Sequence, residues 1–525
     1  MVVIKKVDAP KSAKGVSDLF ASATLASDTI SSTHTDELVI ALCGPIGSPL
    51  HEVADTFKSL ITGVYGYEEC RLIRLSDFIS EYSEKVDIVI PEAPGMSRIT
   101  KQIDAGNALR TKYGRSVLAE LAVNSIRLDR QAQKVRTGEE NFTSRRVCHI
   151  IDSIKNQEEL DLLRMVYREM LYVVGVFSPM DQRELNLIGK GLTSGEVYTL
   201  VDRDSGEESN DGQTVRDTFP QSDFFLRSDT GTGSQRENRV KRFLDLILGA
   251  QIVTPTEYES AMYAAASAAS RSACLSRQVG AAVLSKDGEI LAVGWNDVPK
   301  FGGGLYIEDA NDPSGSKDKR CWNFGAKCFN DSEKDLFAVS LIELLNEVIP
   351  LENREAARSK IRDAAKLKGL IEFSRSIHAE MHALLNAGRV AGGRIDGGTL
   401  FVTTYPCHSC ARHIVASGIE TVYFIEPYRK SLAIKLHGDS ISERETDPNK
   451  VRLLPSDGVA PSRYLDLFKV PMDSRKKGGV LNKLSPKDAH PRLEKSLQAV
   501  PELESMVVRL LMEQRKLIAQ ETTHE

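Results

Sequence analysis

Apolar residues in the first half of the chain occur in short, β-branched runs that alternate with longer helical patterns. The runs predict buried strands at Leu38–Cys43, Val86–Ile90, Val147–Ile151 and Leu171–Phe177. The patterns between them predict helices from about Leu50 and over Ile103–Leu128 and Glu158–Tyr167. Strands that alternate with helices indicate an α/β unit with a mostly parallel sheet over residues 36–245.

A different pattern begins near Thr254, where an Ala-rich helix precedes two apolar runs. The runs Val279–Ser285 and Glu289–Gly294 flank an Asp-Gly turn, which is a strong signal for a β-hairpin. The chain closes with an amphipathic pattern over residues 504–520. Its apolar face predicts a helix that packs on a neighbouring element or on a second subunit.

These patterns divide the chain into four parts. Residues 1–35 are rich in Ser, Thr and Ala and have few large apolar residues, so we expect a mobile arm. An α/β domain is predicted at residues 36–249 and a second domain at residues 250–472. Residues 473–525 form a basic, Gly-rich segment followed by the amphipathic helix.

Composition limits the classes of protein to consider. The 525 residues carry 68 Lys and Arg against 73 Asp and Glu, a net charge of −5, which argues against a globally basic nucleic-acid binder. We find no apolar run of membrane-spanning length and no signal-peptide pattern, so we expect a cytoplasmic protein without a membrane partner. Eight cysteines are too few for a disulfide framework, so paired cysteines are interpreted first as metal ligands.

Two short motifs carry the strongest chemical signal: H-A-E at residues 378–380 and P-C-H-S-C at residues 406–410. Cys407 and Cys410 at a helix start would place both sulfurs by the first turn, where the helix dipole favours the thiolates that zinc needs. His378 is the predicted third ligand, and Glu380 is the candidate for carrying the proton of an attacking water. A C-x-x-C alone would also suit a structural zinc or a redox site.

Residues 255–470 resemble the deoxycytidylate deaminase branch of the cytidine deaminase superfamily. The segments SRQVGAAVL, ILAVGWNDVP, HAEMHALLNAG and GGTLFVTTYPCHSCARHIVASGIETVYF carry the resemblance, and H-x-E…P-C-x-x-C is the signature of zinc nucleobase deaminases. The resemblance implies a cytidine-deaminase-like α/β/α domain that uses Zn²⁺ and in which Glu380 moves protons at cytosine.

The same resemblance suggests three substrate residues. It implies that Asn296 contacts the sugar, that Arg277 lies near the phosphate and that Tyr405 lines the pocket. For Arg277 and Tyr405 an ordinary structural role is an equal alternative, and it is the favoured one for Asn296.

An insertion at about residues 300–370 separates the hairpin from the H-A-E motif. It could cover the pocket or select the phosphate chain. Its Cys321 and Cys328 either bind a structural zinc or are ordinary buried thiols, and six intervening residues without further assigned ligands favour the second interpretation. We expect three nearby histidines to lie at the surface or behind the ligands: His382, His408 and His413.

The turn after the first predicted strand has the position of a phosphate loop but lacks its key residues. Gly44, Gly47 and Ser48 belong to this turn, whose backbone N–H groups could cradle an anion. Leu50 stands where the pattern G-x-x-x-x-G-K-[ST] requires Lys. Asp152, at the end of a later strand, is either a metal-binding acid or a helix N-cap. The first domain therefore resembles a P-loop kinase-like domain with a degenerate phosphate loop.

A P-loop kinase-like domain joined to a deoxycytidylate deaminase domain resembles the bacterial anti-phage deoxycytidine nucleotide deaminases. This resemblance implies hydrolytic deamination of dCTP and dCMP to dUTP and dUMP, which drains the dCTP pool during phage infection. It also implies that the N-terminal domain is regulatory, either restraining the deaminase or acting as a sensor. It further implies a homo-oligomer and, in some members, inhibition by a small RNA.

Two other functions stay open. A deaminase acting on DNA or RNA would share the zinc site but would need a basic, aromatic-lined channel, which the acidic balance and 6% aromatic content disfavour. Alternatively, the main role is that of a nucleotide- or RNA-sensing module with secondary catalysis. The basic patches at Arg145-Arg146 and Arg475-Lys476-Lys477 are more often solvated surface than RNA contacts.

Overall fold

A computed structural model describes residues 31–518, apart from residues 32, 139–141, 207–214, 229–232, 313, 365, 366, 368, 427–430, 471–474, 483 and 494. The predicted N-terminal arm therefore lies outside the described residues as far as residue 30. At the end of that segment, His34 forms a β-bridge with Ser496, and Thr35 is buried. None of the described helices combines the length and hydrophobicity that crossing a membrane requires.

The first sheet has six strands in the order β12-β5-β4-β1-β3-β2. They are β1 (Leu38–Cys43), β2 (Glu69–Arg74), β3 (Val147–Ile154), β4 (Leu171–Phe177), β5 (Phe224–Arg227) and β12 (Gly458–Val459). Strands β1 to β5 pair in parallel, and β12 pairs antiparallel with β5. Every residue of the central strand β1 is buried, which is why its sequence is a continuous apolar run. The mostly parallel sheet predicted from the sequence is therefore confirmed.

Nine helices accompany the first sheet within the described part of the chain. They are α1 (Leu50–Gly63), α2 (Leu75–Tyr82), α3 (Met96–Tyr113), α4 (Val117–Thr137), α5 (Gln157–Tyr167), α6 (Met180–Ile188), α7 (Ser194–Gly206), α8 (Val215–Thr218) and α9 (Gly233–Leu248). The single helix expected over Ile103–Leu128 is divided in two at Gly114, whose φ of 101° lies in the left-handed region that favours glycine.

The strand expected at Val86–Ile90 is wrong. Val86 ends a short 3₁₀ helix, Asp87 adopts a positive φ of 58°, and Val89 is 81% exposed. The strand of this region is β2, which lies at the edge of the sheet and alternates apolar with charged residues. An edge strand of this kind has no continuous apolar run, so the sequence pattern pointed to the wrong segment.

The second sheet has the order β10-β11-β9-β8-β6-β7. Its strands are β6 (Gly280–Leu284), β7 (Ile290–Trp295), β8 (Thr399–Thr404), β9 (Thr421–Glu426), β10 (Ile441–Ser442) and β11 (Val451–Pro455). The predicted hairpin is β6 and β7, which pair antiparallel, and β6 also pairs antiparallel with β8. Strands β8, β9, β11 and β10 are parallel to one another.

Helices cover both faces of the second sheet. The remaining helices are α10 (Glu257–Ala269), α11 (Phe329–Leu344), α12 (Arg354–Asp363), α13 (Ala379–Ala391), α14 (His408–Ala416), α15 (Ala433–His437), α16 (Tyr464–Phe468) and α17 (Val500–Glu513). Leu284 of β6 packs in one apolar cluster with Met262 of α10, whereas its neighbour Val283 packs in another with Ala383 of α13. Because successive strand residues point to opposite faces, this arrangement is an α/β/α sandwich.

Two short hairpin strands, β13 (Lys476–Lys477) and β14 (Val480–Leu481), precede the C-terminal helix α17. This helix packs on α4 of the same chain. Arg130 of α4 is buried between two carboxylates, with Nη1 2.7 Å from Glu37 Oε1 and Nε 3.2 Å from Glu504 Oε2. Arg145 Nε also donates to Glu37 Oε1 at 2.9 Å. Burial raises the pKa of Glu37, but the two guanidinium groups outweigh it and hold that pKa below its usual value.

Removing the Glu37 carboxylate should destabilise the N-terminal sheet, because it leaves Arg130 and Arg145 buried with incomplete charge compensation. We expect Glu37→Ala to lower the free energy of unfolding by about 3–5 kcal/mol in urea denaturation. The exposed Glu347, changed to Ala, serves as the control and should stay within about 0.5 kcal/mol of the parent protein. Equal denaturation midpoints for the two variants would contradict this role of Glu37.

Candidate zinc centre and its surroundings

One group of side chains in the described part of the chain has the composition and closeness of a metal site. The group comprises His378, Cys407 and Cys410, whose ligand atoms lie within 4.8 Å of one another. His378 Nδ1 is 3.2 Å from Cys410 Sγ and 3.4 Å from Cys407 Sγ. The structure therefore brings together the three residues that the sequence proposed as zinc ligands.

Two helix N-termini meet at this group. His378 is the N-cap residue of α13, and Cys407 is the N-cap residue of α14. The Cys407 side chain caps its own helix, because the backbone N–H of Cys410 donates to Cys407 Sγ at 3.4 Å. A bridge between Ile377 and Asp297 fixes the segment just before His378 against the end of the β6–β7 hairpin.

The electrostatics of the group suit a zinc ion. The hydrogen bond with Cys410 and the neighbouring His378 lower the pKa of Cys407 to about 4, against the opposing effect of burial. The hydrogen bond with Cys407 and burial raise the pKa of Cys410. One imidazole nitrogen and two sulfurs at this spacing form a known ligand set of catalytic zinc. The residues therefore fit the ion.

Glu380 is buried in the first turn of α13, with 3% of its surface exposed. Burial raises its pKa, although the charge of His378 opposes the shift. The same carboxylate influences the pKa of Cys410, which places it beside the ligand group. Glu380 is thus a buried carboxylate beside the ligand group, and its role in proton transfer stays a prediction.

The three other histidines near the motifs lie outside this ligand group. His382 is buried, its Nδ1 is 3.2 Å from the backbone N of Trp295, and burial lowers its pKa. His408 Nε2 is 3.6 Å from Glu372, and His413 Nδ1 lies 2.7 Å from the carbonyl oxygen of Ser409.

Asn296 is held at both ends of its amide by backbone groups. Its Oδ1 accepts from Val279 N at 2.7 Å, and its Nδ2 donates to the carbonyl oxygen of Arg277 at 2.8 Å. The side chain therefore joins the end of β7 to the start of β6. Its contact with a sugar stays a prediction.

Arg277 and Tyr405 occupy different surroundings. Arg277 is 51% exposed at its side chain and forms an ion pair with Glu426. Tyr405 is 6% exposed, and its hydroxyl donates to Glu443 Oε1 at 2.9 Å. The Tyr405 side chain lines a cavity that also contacts residues of the first sheet, Phe177 among them.

A side chain of the protein itself contacts the turn after β1, which the sequence predicts to be a degenerate phosphate loop. The backbone N–H of Ile46 donates to Asp204 Oδ2 at 2.6 Å. Lys155 Nζ contacts the other oxygen of Asp204 at 3.2 Å and donates to the carbonyl oxygen of Gly44 at 2.8 Å. Gly47 has a φ of 87°, and Ser48 is buried. An internal carboxylate therefore takes one of the backbone N–H groups that, by the sequence, could cradle an anion.

Sequence reasoning missed Asp204 and Lys155, because neither belongs to the loop motif. Asp152 contacts His51, which stands where a phosphate loop has Ser or Thr. The alternative of Asp152 as a helix N-cap is wrong, because Asn156 caps α5 in a capping box. An Asn followed three residues later by Glu was the sequence signal for that cap.

Cys321 and Cys328 are the two cysteines of the insertion. Cys321 is buried, burial raises its pKa, and both Cys274 and Cys328 influence it. Within the described residues these cysteines do not form a second three-ligand group. Their interpretation as ordinary buried thiols stays a prediction.

Comparison with known proteins agrees with this geometry. A family model described as the cytidine and deoxycytidylate deaminase zinc-binding region matches residues 255–426. The deoxycytidylate deaminase of Enterobacteria phage T4 is 33% identical over 167 residues, which is 30% of this chain and 72% of the phage protein. ComE operon protein 2 of Bacillus subtilis (strain 168) is 45% identical over 56 residues, covering 11% of this chain and only 29% of that protein.

Among solved structures, the dCMP deaminase of cyanophage S-TIM5 in complex with dCMP and dUMP is 21% identical, with a TM-score of 0.22. The alignment covers 39% of this chain and 98% of that chain. The matched region and the ligand group define the C-terminal part as a zinc-binding, hydrolytic deaminase domain. The chain belongs to the cytidine and deoxycytidylate deaminase family.

The ligand group predicts the metal content of the protein. We expect the purified chain to hold one zinc ion and His378→Ala to lose most of it, because two thiolates alone bind zinc more weakly. Elemental analysis after dialysis measures the content. His413→Ala is the control on α14, outside the ligand group, and should keep its zinc. Full zinc occupancy in His378→Ala would contradict the assignment.

Proposed function

We propose that the protein removes the amino group of dCMP, and of dCTP, by hydrolysis to give dUMP or dUTP and ammonia. The observation that supports this most directly is the buried Glu380 beside the group formed by His378, Cys407 and Cys410. The relatives in phages T4 and T2 are named deoxycytidylate deaminases, which supports a cytosine deoxynucleotide as the substrate.

The proposed mechanism assigns each residue one task. His378, Cys407 and Cys410 would hold zinc, which when bound acts as a Lewis acid and makes water nucleophilic at neutral pH. Glu380 accepts a proton from the attacking water and delivers it to N3 of cytosine as the oxygen bonds to C4. Glu380 then takes the remaining proton from the new C4 hydroxyl and transfers it to the amino group. The C4–N bond breaks as the C4=O double bond forms, and ammonia leaves.

We expect Glu380→Ala to lower kcat for dCMP by about 10²–10⁴-fold, because the proton transfers lose their carrier. Its zinc content should equal that of the parent protein, since Glu380 is not one of the three ligands. Glu343→Ala, a change at an exposed carboxylate of α11, should leave kcat unchanged. Undiminished ammonia release from Glu380→Ala would refute the mechanism.

Arg277 is the proposed contact for the substrate phosphate. Its guanidinium is half-exposed, and Asn296 holds the backbone from which it projects. Glu426 pairs with it, which orients the charged group. Asn296 would contact the sugar directly or position this segment. Tyr405 would line the substrate pocket.

We expect Arg277→Ala to raise KM for dCMP by about 10-fold or more with little change in kcat, because one charge-assisted contact to phosphate is lost. The kcat/KM for deoxycytidine, which has no phosphate, should stay unchanged. Arg358→Ala removes a comparably exposed arginine that pairs with Glu355 and is the control. An equal loss of kcat/KM with deoxycytidine would contradict the phosphate contact.

The finer parts of this proposal rest on the resemblance to anti-phage deaminases. They are a P-loop kinase-like N-terminal domain that regulates the deaminase, depletion of dCTP in defence against phage, a cytoplasmic homo-oligomer, and a small inhibitory RNA. One structural feature supports a regulatory coupling: β12, which follows the deaminase strands, extends the first sheet beside β5. Product chromatography with dCMP, dCTP and a cytosine-containing oligonucleotide separates this proposal from polynucleotide deamination.

A further inference from the structure

A hydrogen bond from the segment after β10 reaches the residue two positions before the metal ligand Cys407. Tyr405 is buried, and its hydroxyl donates to Glu443 Oε1 at 2.9 Å. The backbone continues from Tyr405 through Pro406 to Cys407, the N-cap residue of α14. The Tyr405 ring packs edge-on against Phe424 of β9, with ring centroids 4.9 Å apart. Phe424 at the ring and Glu443 at the hydroxyl therefore both restrain the orientation of Tyr405.

The two residues after Glu443 attach this segment to the first domain. Glu445 accepts from Arg227 of β5, whose Nη1 lies 3.1 Å from Glu445 Oε1 and whose Nη2 contacts the other oxygen. Arg227 is buried, so this two-point contact holds Glu445 in one geometry. Arg444 Nε lies 3.0 Å from Asp181 Oδ1 in the first turn of α6. Both side chains of this second pair are about half-exposed, so it contributes less.

The backbone at Glu443 is held from both sides. Ile441 and Ser442 of β10 are buried and pair with β11, and the backbone N–H of Arg444 donates to Ser442 Oγ at 3.0 Å. On the other side, Glu445 is bound to β5. Because the backbone is already fixed, the Glu443 side chain loses less conformational freedom when it accepts the Tyr405 hydrogen bond than it would on a free loop.

We infer that Glu443 is a positioning residue of the deaminase site, which is held from the first domain and fixes the pocket wall at Tyr405 through a hydrogen bond. Glu443 acts through Tyr405 and takes no part in proton transfer. The effect on substrate rests on the proposed function, in which Tyr405 lines the substrate pocket. The effect on the conformation of the chain around Tyr405 does not, because it depends only on the contacts of Glu443.

Steady-state kinetics of the zinc-loaded full chain with dCMP test the effect on substrate. We expect Glu443→Ala to raise KM about fivefold or more with kcat within about twofold of the parent protein, because the wall loses one hydrogen bond while Glu380 is unchanged. Glu443→Gln keeps an acceptor oxygen in the side chain and should stay within about twofold of the parent KM. Asp447→Ala removes a carboxylate further along the same segment and is the control, with kinetics equal to the parent.

A double-mutant cycle tests whether Glu443 acts through the Tyr405 hydroxyl. Tyr405→Phe removes the donor and should raise KM by the same factor as Glu443→Ala. The double variant should be no worse than either single variant, because each change alone already removes the hydrogen bond. Multiplying effects in the double variant, an unchanged KM in Glu443→Ala, or an equal rise of KM in Glu443→Gln would each overturn the inference.

Hydrogen exchange of the backbone amides of residues 404–412, followed by mass spectrometry, tests the positioning without reference to activity. Exchange should be faster by about threefold or more in Glu443→Ala and equal to the parent in Glu443→Gln and Asp447→Ala. Glu445→Ala releases the segment from β5 and should also speed this exchange. Unchanged exchange in Glu443→Ala would overturn the positioning, and unchanged exchange in Glu445→Ala would overturn the hold from the first domain.

The two measurements separate this inference from the proposed function. If exchange follows the expected order but the parent chain never deaminates dCMP, the positioning by Glu443 is supported and the proposed function is refuted. If the parent chain deaminates dCMP but neither KM nor exchange changes in Glu443→Ala, the proposed function is supported and the positioning is refuted.

Discussion

The convergence of two helix N-termini at His378 and Cys407 is the constraint on which the site depends. Both residues precede their helices, so the side chains lie where unpaired N–H groups and the helix dipoles favour negative charge. The second sheet sets the distance between them, because β8 leads directly into α14 and the β6–β7 hairpin fixes the start of α13 through the Asp297–Ile377 bridge.

The two sheets are joined closely enough for one to influence the other. Strand β12 pairs with β5, Arg463 forms an ion pair with the buried Asp223 at 2.9 Å, and Arg227 donates to Glu445 at 3.1 Å. The N-terminal domain therefore contacts the segment after the deaminase strands directly, through a common sheet and through ion pairs. The cavity at Tyr405 lies along the same interface.

Strands buried on both faces could be predicted well from the sequence. The runs at β1, β3 and β4 are continuous and apolar, and the structure has strands there. Strand β2 was not predicted because it is an edge strand and only half buried. The apolar run at Val86–Ile90 was wrongly predicted to be a strand because apolar composition alone does not show whether a segment is buried. The hairpin was found from its Asp-Gly turn, which is a local signal.

The sequence by itself determined the chemical identity of the ligand group and the helix starts that present it, because motif spacing and capping are local properties. Tertiary structure alone decided that Asp204 enters the phosphate-loop turn, that Asn296 bonds the backbone at both ends of its amide, and that Tyr405 faces a cavity. Ile46 and Asp204 are 158 positions apart. Contacts at such separation depend on how the sheets and helices pack, which no local pattern encodes.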